Sequence, residues 1–237
     1  MDVEAKVLLD EMTSIKDISS DGFKLFSGFI EDSYIILGVS GIGVINATMM
    51  SFYAGYEFKP SYVVNYGIAG GHSKDIHVGD LVVGNECINI NSYVTSKCLE
   101  GEGVNPLSWD IVDFTTNQLK IYKSDDKLVE LALNLSDSYK DGNVWYGRIG
   151  SGDIWNREVD RIMYLNKEYN TLCEDMESIS VYSVGDKFNI PVISMKIISN
   201  NEVNNEEYDR ESICRFREFG KTYLKKLTKI RQQLRVN

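Results

Sequence analysis

Residues 170–199, NTLCEDMESISVYSVGDKFNIPVISMKIIS, decide the fold. Thr171-Leu172-Cys173 reads as a short buried strand running straight into Glu174-Asp175-Met176-Glu177, and Ser178–Phe188 carries a helical apolar pattern closed by Asn189 and Pro191. Residues 192–198 then form an apolar run that stops at Ser199-Asn200-Asn201. Strand, helix and strand in that order predict a parallel pair. Both polar stops should then lie at the carboxyl edge of one sheet, where open α/β sheets bind ligands. Three carboxylates, Glu174, Asp175 and Glu177, crowd the first stop. Acidic residues near a helix start also favour its dipole, so position alone leaves a structural role open beside a chemical one.

Outward from this stretch, strands and helices alternate. Residues 143–149 read as a strand ending in Ser151-Gly152-Asp153-Ile154-Trp155-Asn156, a further polar stop with a broad aromatic at its tip, and residues 158–165 as a short helix. Trp155 suits either a site or a core or interface position. Residues 62–65 predict a strand ending in the glycine turn Gly67-Ile68-Ala69-Gly70-Gly71, and Ser40-Gly41-Ile42-Gly43 predicts a turn opening a helix through about Tyr56. Such turns let backbone approach a ligand closely, and many are only tight corners. Residues 80–91 return to strand character, residues 92–121 are irregular, and residues 127–139 read as a helix. At the amino end the spacing predicts a helix over 3–15, with Glu4 near its start, followed by a hairpin of residues 23–30 and 34–39. At the carboxyl end, Ile213, Phe216, Phe219, Tyr223, Leu224, Leu227 and Ile230 form an apolar helical stripe over 212–233. The pattern implies one α/β domain over residues 1–237, with a mixed central sheet flanked by helices in three layers.

The totals narrow the function. A chain of 237 residues, 43% hydrophobic, buries one substantial core. Lys+Arg of 25 against Asp+Glu of 35 gives a net charge of −10, which argues against a nucleic-acid partner, because such proteins present basic stripes. No long apolar run suggests a membrane span, and the acidic amphipathic start does not resemble a signal peptide. Cys87, Cys98, Cys173 and Cys214 are scattered without a C-x-x-C, which suits reduced thiols and a cytoplasmic location. His72 and His77 are not spaced for one helix face, so no metal and no cofactor is expected.

Taken in order, Met1-Asp2-Val3-Glu4, Ser40-Gly41-Ile42-Gly43-Val44, Asn65-Tyr66-Gly67-Ile68-Ala69-Gly70-Gly71, Val78-Gly79-Asp80, Ser151-Gly152-Asp153, Met176-Glu177 and Ile198-Ser199-Asn200 resemble the nucleoside phosphorylase/nucleosidase superfamily. Within it they are most similar to the methylthioadenosine/S-adenosylhomocysteine nucleosidases. The resemblance covers nearly the whole chain and implies cleavage of the N-glycosidic bond of a purine nucleoside, a small-molecule substrate, in a homodimer whose contact includes residues 92–121. It further implies that Glu4 activates water, that Met176 and Glu177 hold the ribose, and that Trp155 stacks on the purine with Asn156 backbone beside the base. Asp175, Ile68, Ala69 and Gly70 would line the same site, and Asn200 would stand where the family has an aspartate on N7.

The chain departs from the family at three places. Asn200 does not ionise, so it donates hydrogen bonds without acting as a general acid, which implies either a shift toward 6-oxopurines or weak activity on adenosine-type substrates, unless Asp175 or another acid serves. The apolar strand that the family places before Met-Asp-Val-Glu is expected to be missing. Ile68 replaces a polar contact. No arginine precedes Arg148, and Asn65 stands near the family's phosphate arginine, which favours water over phosphate as acceptor, although lysines such as Lys24 or Lys74 could take its place in principle. The alternatives are a purine nucleoside phosphorylase and a degenerate homologue that binds a nucleoside without cleaving it.

Overall fold

Residues Val192–Asn200, the apolar run after Pro191, are buried along their whole length, as a strand covered on both faces must be. The computed structural model describes the backbone of residues 2–234 and the side chains of residues 2–227; Met1 and the side chain of Ile230 lie outside them. In chain order the elements are α1 (Asp2–Leu9), β1 (Thr13–Asp17), β2 (Lys24–Ile30), β3 (Ser33–Val39), α2 (Val44–Phe58), β4 (Val63–Gly71) and β5 (Leu81–Asn89). The short β6 (Tyr93–Val94), β7 (Asp110–Ile111) and β8 (Tyr122–Lys123) follow, then α3 (Asp126–Leu133), β9 (Val144–Ser151), α4 (Val159–Tyr169), β10 (Thr171–Asp175), α5 (Ser178–Phe188), β11 (Val192–Asn200) and α6 (Phe216–Leu234).

The central sheet is mixed and six-stranded, in the order β11-β4-β10-β9-β5-β8, and β11 also pairs with β5, so the sheet closes on itself. Ile193, Met195 and Ile197 of β11 join the core formed with α1, α3 and α6. Val192, on the opposite face, packs with Val181 and Tyr182 of α5. Helices therefore cover both faces of the sheet. Among the described residues, no helix is long and apolar enough to cross a membrane.

The parallel pairing expected of β10 and β11 does not occur. Both flank β4, but β11 runs parallel to it and β10 antiparallel, so the two run in opposite directions. The crossover rule applies to neighbours in one open sheet. Here the sheet closes by joining strand ends head to head, which still brings the carboxyl ends together. Gly70 is the Cα partner of both Glu174 and Asn200. Two further expectations are corrected. The first helix stops at Leu9, and Thr13–Asp17 becomes an edge strand on β2; Ile15 is 46% exposed and contributes nothing to a helical stripe. Gly67–Gly71 is not a turn but the end of β4, without positive φ at any of its glycines. These glycines serve close approach: a Cβ at Gly67 would lie 2.8 Å from Glu4 Oε1, and one at Gly71 would lie 2.9 Å from Asn201 Nδ2.

The hairpin of β2 and β3 joins β1 in a separate three-stranded sheet. Between β3 and residues 62–66 lies a cavity of about 390 Å³, with Leu25, Met195, Phe216 and Tyr223 in its walls and Glu4 at its rim.

Candidate active site

The site is organised along β4, whose glycines admit side chains from both neighbours. Glu4, on the first turn of α1, reaches across so that its Oε1 accepts the Ile68 N–H at 3.1 Å, while Tyr66 Oη donates to the Glu4 carbonyl at 3.0 Å. Lys196 of β11, opposite Gly67, is fully buried and pairs with Asp175 at 2.7 Å. Asp175 also accepts from Ser178 Oγ at 2.6 Å and from the Ser178 N–H. Burial presses the Asp175 carboxyl upward, but Lys196 and the Ser151 and Ser178 hydroxyls outweigh it and hold the group below its ordinary value. Burial would likewise lower the Lys196 ammonium, yet Asp175, Glu177 and Glu4 hold it above its ordinary value.

Glu177 stands at the start of α5, where the run of acids turns into a helix, and its side chain points away from the helix's own N–H groups. Its Oε1 accepts the Gly43 N–H at 2.9 Å, and Asp153 Oδ1 accepts the neighbouring Val44 N–H at 2.7 Å. The turn before α2 is thus pinned by two carboxylates from distant segments. Gly43 has φ 97°, a conformation that only glycine adopts without strain. Burial, with the Asp175 charge beside it, pushes the Glu177 carboxyl above its ordinary value. Met176, next to it, is half-buried.

A second group lies at the end of the same strand. Asn200, 5% exposed, closes β11; Ser199 Oγ donates to its Oδ1 at 3.0 Å, and its Nδ2 would lie 3.3 Å from a Cβ on Gly70. Glu174 accepts the Asn156 N–H at 2.7 Å and Asn156 Nδ2 at 2.5 Å. Behind it His72 is buried, its Nδ1 2.8 Å from Thr171 Oγ1. His72 Nε2 lies 3.1 Å from Glu174 Oε2 but outside hydrogen-bonding alignment, so proximity, not a bond, joins them. Trp155 stands 54% exposed over this region, its ring 5.5 Å from that of Tyr208. Burial pushes the Tyr208 hydroxyl above its ordinary value.

Of the residues picked from sequence, Glu4, Ile68, Met176 and Glu177 belong to the first group, and Gly70, Trp155, Asn156 and Asn200 to the second, with buried Ala69 between them on β4. Asp175 is set deeper, engaged by Lys196 and Ser178. Asn65 donates to Ser178 and Ser194 in a buried hydroxyl network. Lys24 pairs with Asp2 on the surface, and Lys74 is exposed, so neither joins the site. Sequence reasoning missed Lys196, although a lysine inside an otherwise apolar run signals a paired buried charge. It also missed Glu174 as a ligand of Asn156, a contact no local pattern announces. Among the described residues no cluster suited to a metal occurs.

Comparisons with known proteins bear on the family and the fold. The family model of the phosphorylase superfamily matches residues 1–233. The 5'-methylthioadenosine/S-adenosylhomocysteine nucleosidase of Geobacillus sp. is 28% identical over 200 residues, 84% of this chain and 82% of that protein. The same-named protein of Bacillus licheniformis is 30% identical over 174 residues, 73% and 71% of the two chains. Among solved structures, the nucleosidase from Neisseria meningitidis in complex with methylthio-immucillin-A superposes with a TM-score of 0.79 at 22% identity, covering 95% of each chain. The futalosine hydrolase of Helicobacter pylori gives 0.78 at 20% identity, covering 95% and 94%. These structural likenesses bear on the fold.

Proposed function

Because the chain belongs to the phosphorylase superfamily, we propose that it is a purine nucleosidase, hydrolysing the N-glycosidic bond between a purine and its ribose. The observation that carries this reading is the Glu4 carboxylate, anchored on the Ile68 N–H and grouped with Asp175 and Glu177 around one lysine. Breaking a ribosyl C–N bond builds positive charge on the sugar and negative charge on the base. A carboxylate group around the sugar stabilises the first, and Glu4 orients and deprotonates a water that attacks the anomeric carbon. Glu177 accepts the ribose hydroxyls, with Met176 as apolar support. Trp155 supplies the stacking face, and Asn200 Nδ2 donates to the departing base.

The same charge balance speaks for water over phosphate. Three carboxylates already surround Lys196, and its ammonium is committed to Asp175 at 2.7 Å. A phosphate here would meet net negative charge without a guanidinium to offset it.

A homodimer and a cytoplasmic location belong to the same reading. On α2, Ile45, Met49, Phe52 and Tyr56 form an exposed apolar stripe at helical spacing, and Val104, Leu107 and Phe114 of the irregular region are also exposed. A surface of that kind suits a second copy of the chain. All four cysteines are free thiols, which suits a reducing compartment. Light scattering should return twice the 26.9 kDa chain mass.

Purine release from nucleosides, measured with and without phosphate, tests the activity. Release independent of phosphate supports hydrolysis. Strict phosphate dependence assigns a phosphorylase, and saturable binding without release assigns a binding protein.

A further inference from the structure

Glu4 reaches its place by turning the edge of a strand. Ala5, Val7 and Leu8 of α1 lie in the core against which Tyr66 packs, so the Glu4 backbone sits on that face of β4. Gly67 faces the other way, as alternate residues of a strand must. A Cβ at Gly67 would nevertheless lie 2.8 Å from Glu4 Oε1 and 3.4 Å from Lys196 Nζ. The carboxylate has therefore crossed to the face where Lys196 stands, although its backbone has not. The crossing is made at Ile68, whose N–H the carboxylate accepts at 3.1 Å. β11 holds one edge of β4, and β10 pairs with the other at Gly70 and Gly71; among the described residues no strand pairs that second edge at Ile68.

Tyr66 grips the other end of this lever. Its Oη donates to the Glu4 carbonyl at 3.0 Å, and its ring is stacked on that of Phe216, centroids 5.1 Å apart and planes 8° from parallel. Tyr66 and Ile68 stand two apart on one strand, so β4 holds Glu4 twice. A side chain takes its backbone carbonyl, and a backbone N–H takes its side chain. A carbonyl only accepts, so the hydroxyl is the donor. Burial, with the Glu4 charge beside it, pushes that hydroxyl far above its ordinary value, so it keeps its proton at neutral pH. The buried contacts of Ala5, Val7 and Leu8 press α1 onto the core, but apolar burial has no direction and does not fix how the helix slides or turns. The Tyr66 hydrogen bond is directional and acts on Glu4 itself.

We propose that Tyr66 is a positioning residue for Glu4, its hydroxyl holding the first turn of α1 so that the carboxylate meets the Ile68 N–H on the face shared with Lys196. Its effect on turnover rests on the nucleosidase reading, in which Glu4 deprotonates the attacking water; its effect on where the carboxylate stands does not. Misplacing such a group by about 1 Å costs up to about 100-fold in rate.

Tyr66→Phe keeps the ring and its stack on Phe216 and removes only the hydroxyl. In purine release by the intact chain, kcat should fall about 10- to 100-fold with KM within about threefold, and Tm should fall by no more than about 4 °C. In a Glu4→Gln background the same substitution should change kcat less than about twofold, because Tyr66 acts through that carboxylate. The amide NMR signal of Ile68, in protein carrying labelled isoleucine, reads the placement without turnover. Glu4→Gln displaces this signal by exchanging carboxylate for amide. Tyr66→Phe should displace it in the same direction at least about half as far, and at most about a quarter as far in the Glu4→Gln background. Displacement as expected with no purine released by the unsubstituted protein upholds the placement and overturns the hydrolase reading. Purine release with kcat unmoved by Tyr66→Phe, or with equal losses in both backgrounds, overturns the role of Tyr66 and leaves the hydrolase reading standing. An Ile68 signal unmoved, or moved equally in both backgrounds, overturns the role whatever the rates. A variant that no longer folds makes the bond a structural one and overturns it likewise.

Discussion

Replacing Lys196 by methionine removes the ammonium from a buried group of acids and leaves Asp175 without its partner at 2.7 Å. Both side chains are almost fully enclosed, 2% and 1% exposed, so water cannot take over the solvation. Breaking one side of such a pair costs about 3–5 kcal/mol, because the remaining charge must protonate or be carried unpaired. Against a total stability of about 5–15 kcal/mol this is a large share. The pH dependence follows from the direction of each shift. Asp175 is held low in the fold, so its contribution is present above the unfolded value of about 3.9 and is lost as pH falls through its folded value. Lys196 is held high, so its contribution is complete below about 10.4 and is lost as pH rises through its folded value. The wild-type pair therefore contributes fully between about pH 4 and pH 10, and the deficit of Lys196→Met should shrink once the medium is acid enough to protonate Asp175 in both proteins. Urea unfolding at pH 7 and at decreasing pH measures this, with the slope against urea unchanged. The double variant Asp175→Asn, Lys196→Met, which removes the stranded charge but keeps an acceptor for Ser178, should regain about 2 kcal/mol. A single-variant loss under about 1 kcal/mol, or a double variant no more stable than the single, would refute the argument.

Three other outcomes are expected. Glu4→Gln should lower kcat for purine release about 100- to 10,000-fold with KM within a few-fold, and a loss under tenfold would remove Glu4 from the proton-transfer role. Trp155→Ala should weaken nucleoside binding by about 1–3 kcal/mol in fluorescence or calorimetric titration, while Trp155→Phe retains most of the affinity; equal behaviour of the two would place the ring outside the base site. An apolar strand of about seven residues appended ahead of Met1 through a short flexible linker should enter the cavity between β3 and β4 and raise Tm. Relative to a glycine-serine extension of equal length, a rise of at least about 4 °C is expected, and equal Tm values would contradict occupation of the cavity.

Much of the fold was legible because it is written in local patterns. The apolar run of residues 192–198, which β11 extends by two residues to Asn200, and the helix Ser178–Phe188, stopped by Asn189 in the left-handed conformation, fall where spacing and breakers place them. The hairpin of β2 and β3 follows from two β-rich runs separated by a short polar gap. The strand directions were not legible. The antiparallel meeting of Glu174 with Gly70 joins segments about a hundred residues apart, and the periodicity of either segment is silent on that pairing. The same holds within the site. Glu4, Glu174, Glu177 and Asn200 stand out as polar residues at element ends, whereas Lys196 lies inside β11, where strand membership conceals a polar role, and the pairing of Glu174 with Asn156 joins two elements. Gly67 and Gly70 read as turn residues because glycine marks turns and close approaches alike; only the neighbours Glu4 and Asn200 distinguish the two.

The central claim concerns the group that receives the ribosyl carbon, and the origin of one oxygen atom tests it directly. Nucleoside is incubated with the protein in water enriched in the heavy oxygen isotope, with phosphate present, and the sugar product is analysed by mass spectrometry. The account predicts free ribose carrying one heavy oxygen, in amount equal to the purine released. Ribose 1-phosphate as the sugar product, or no purine released from any purine nucleoside, would contradict it.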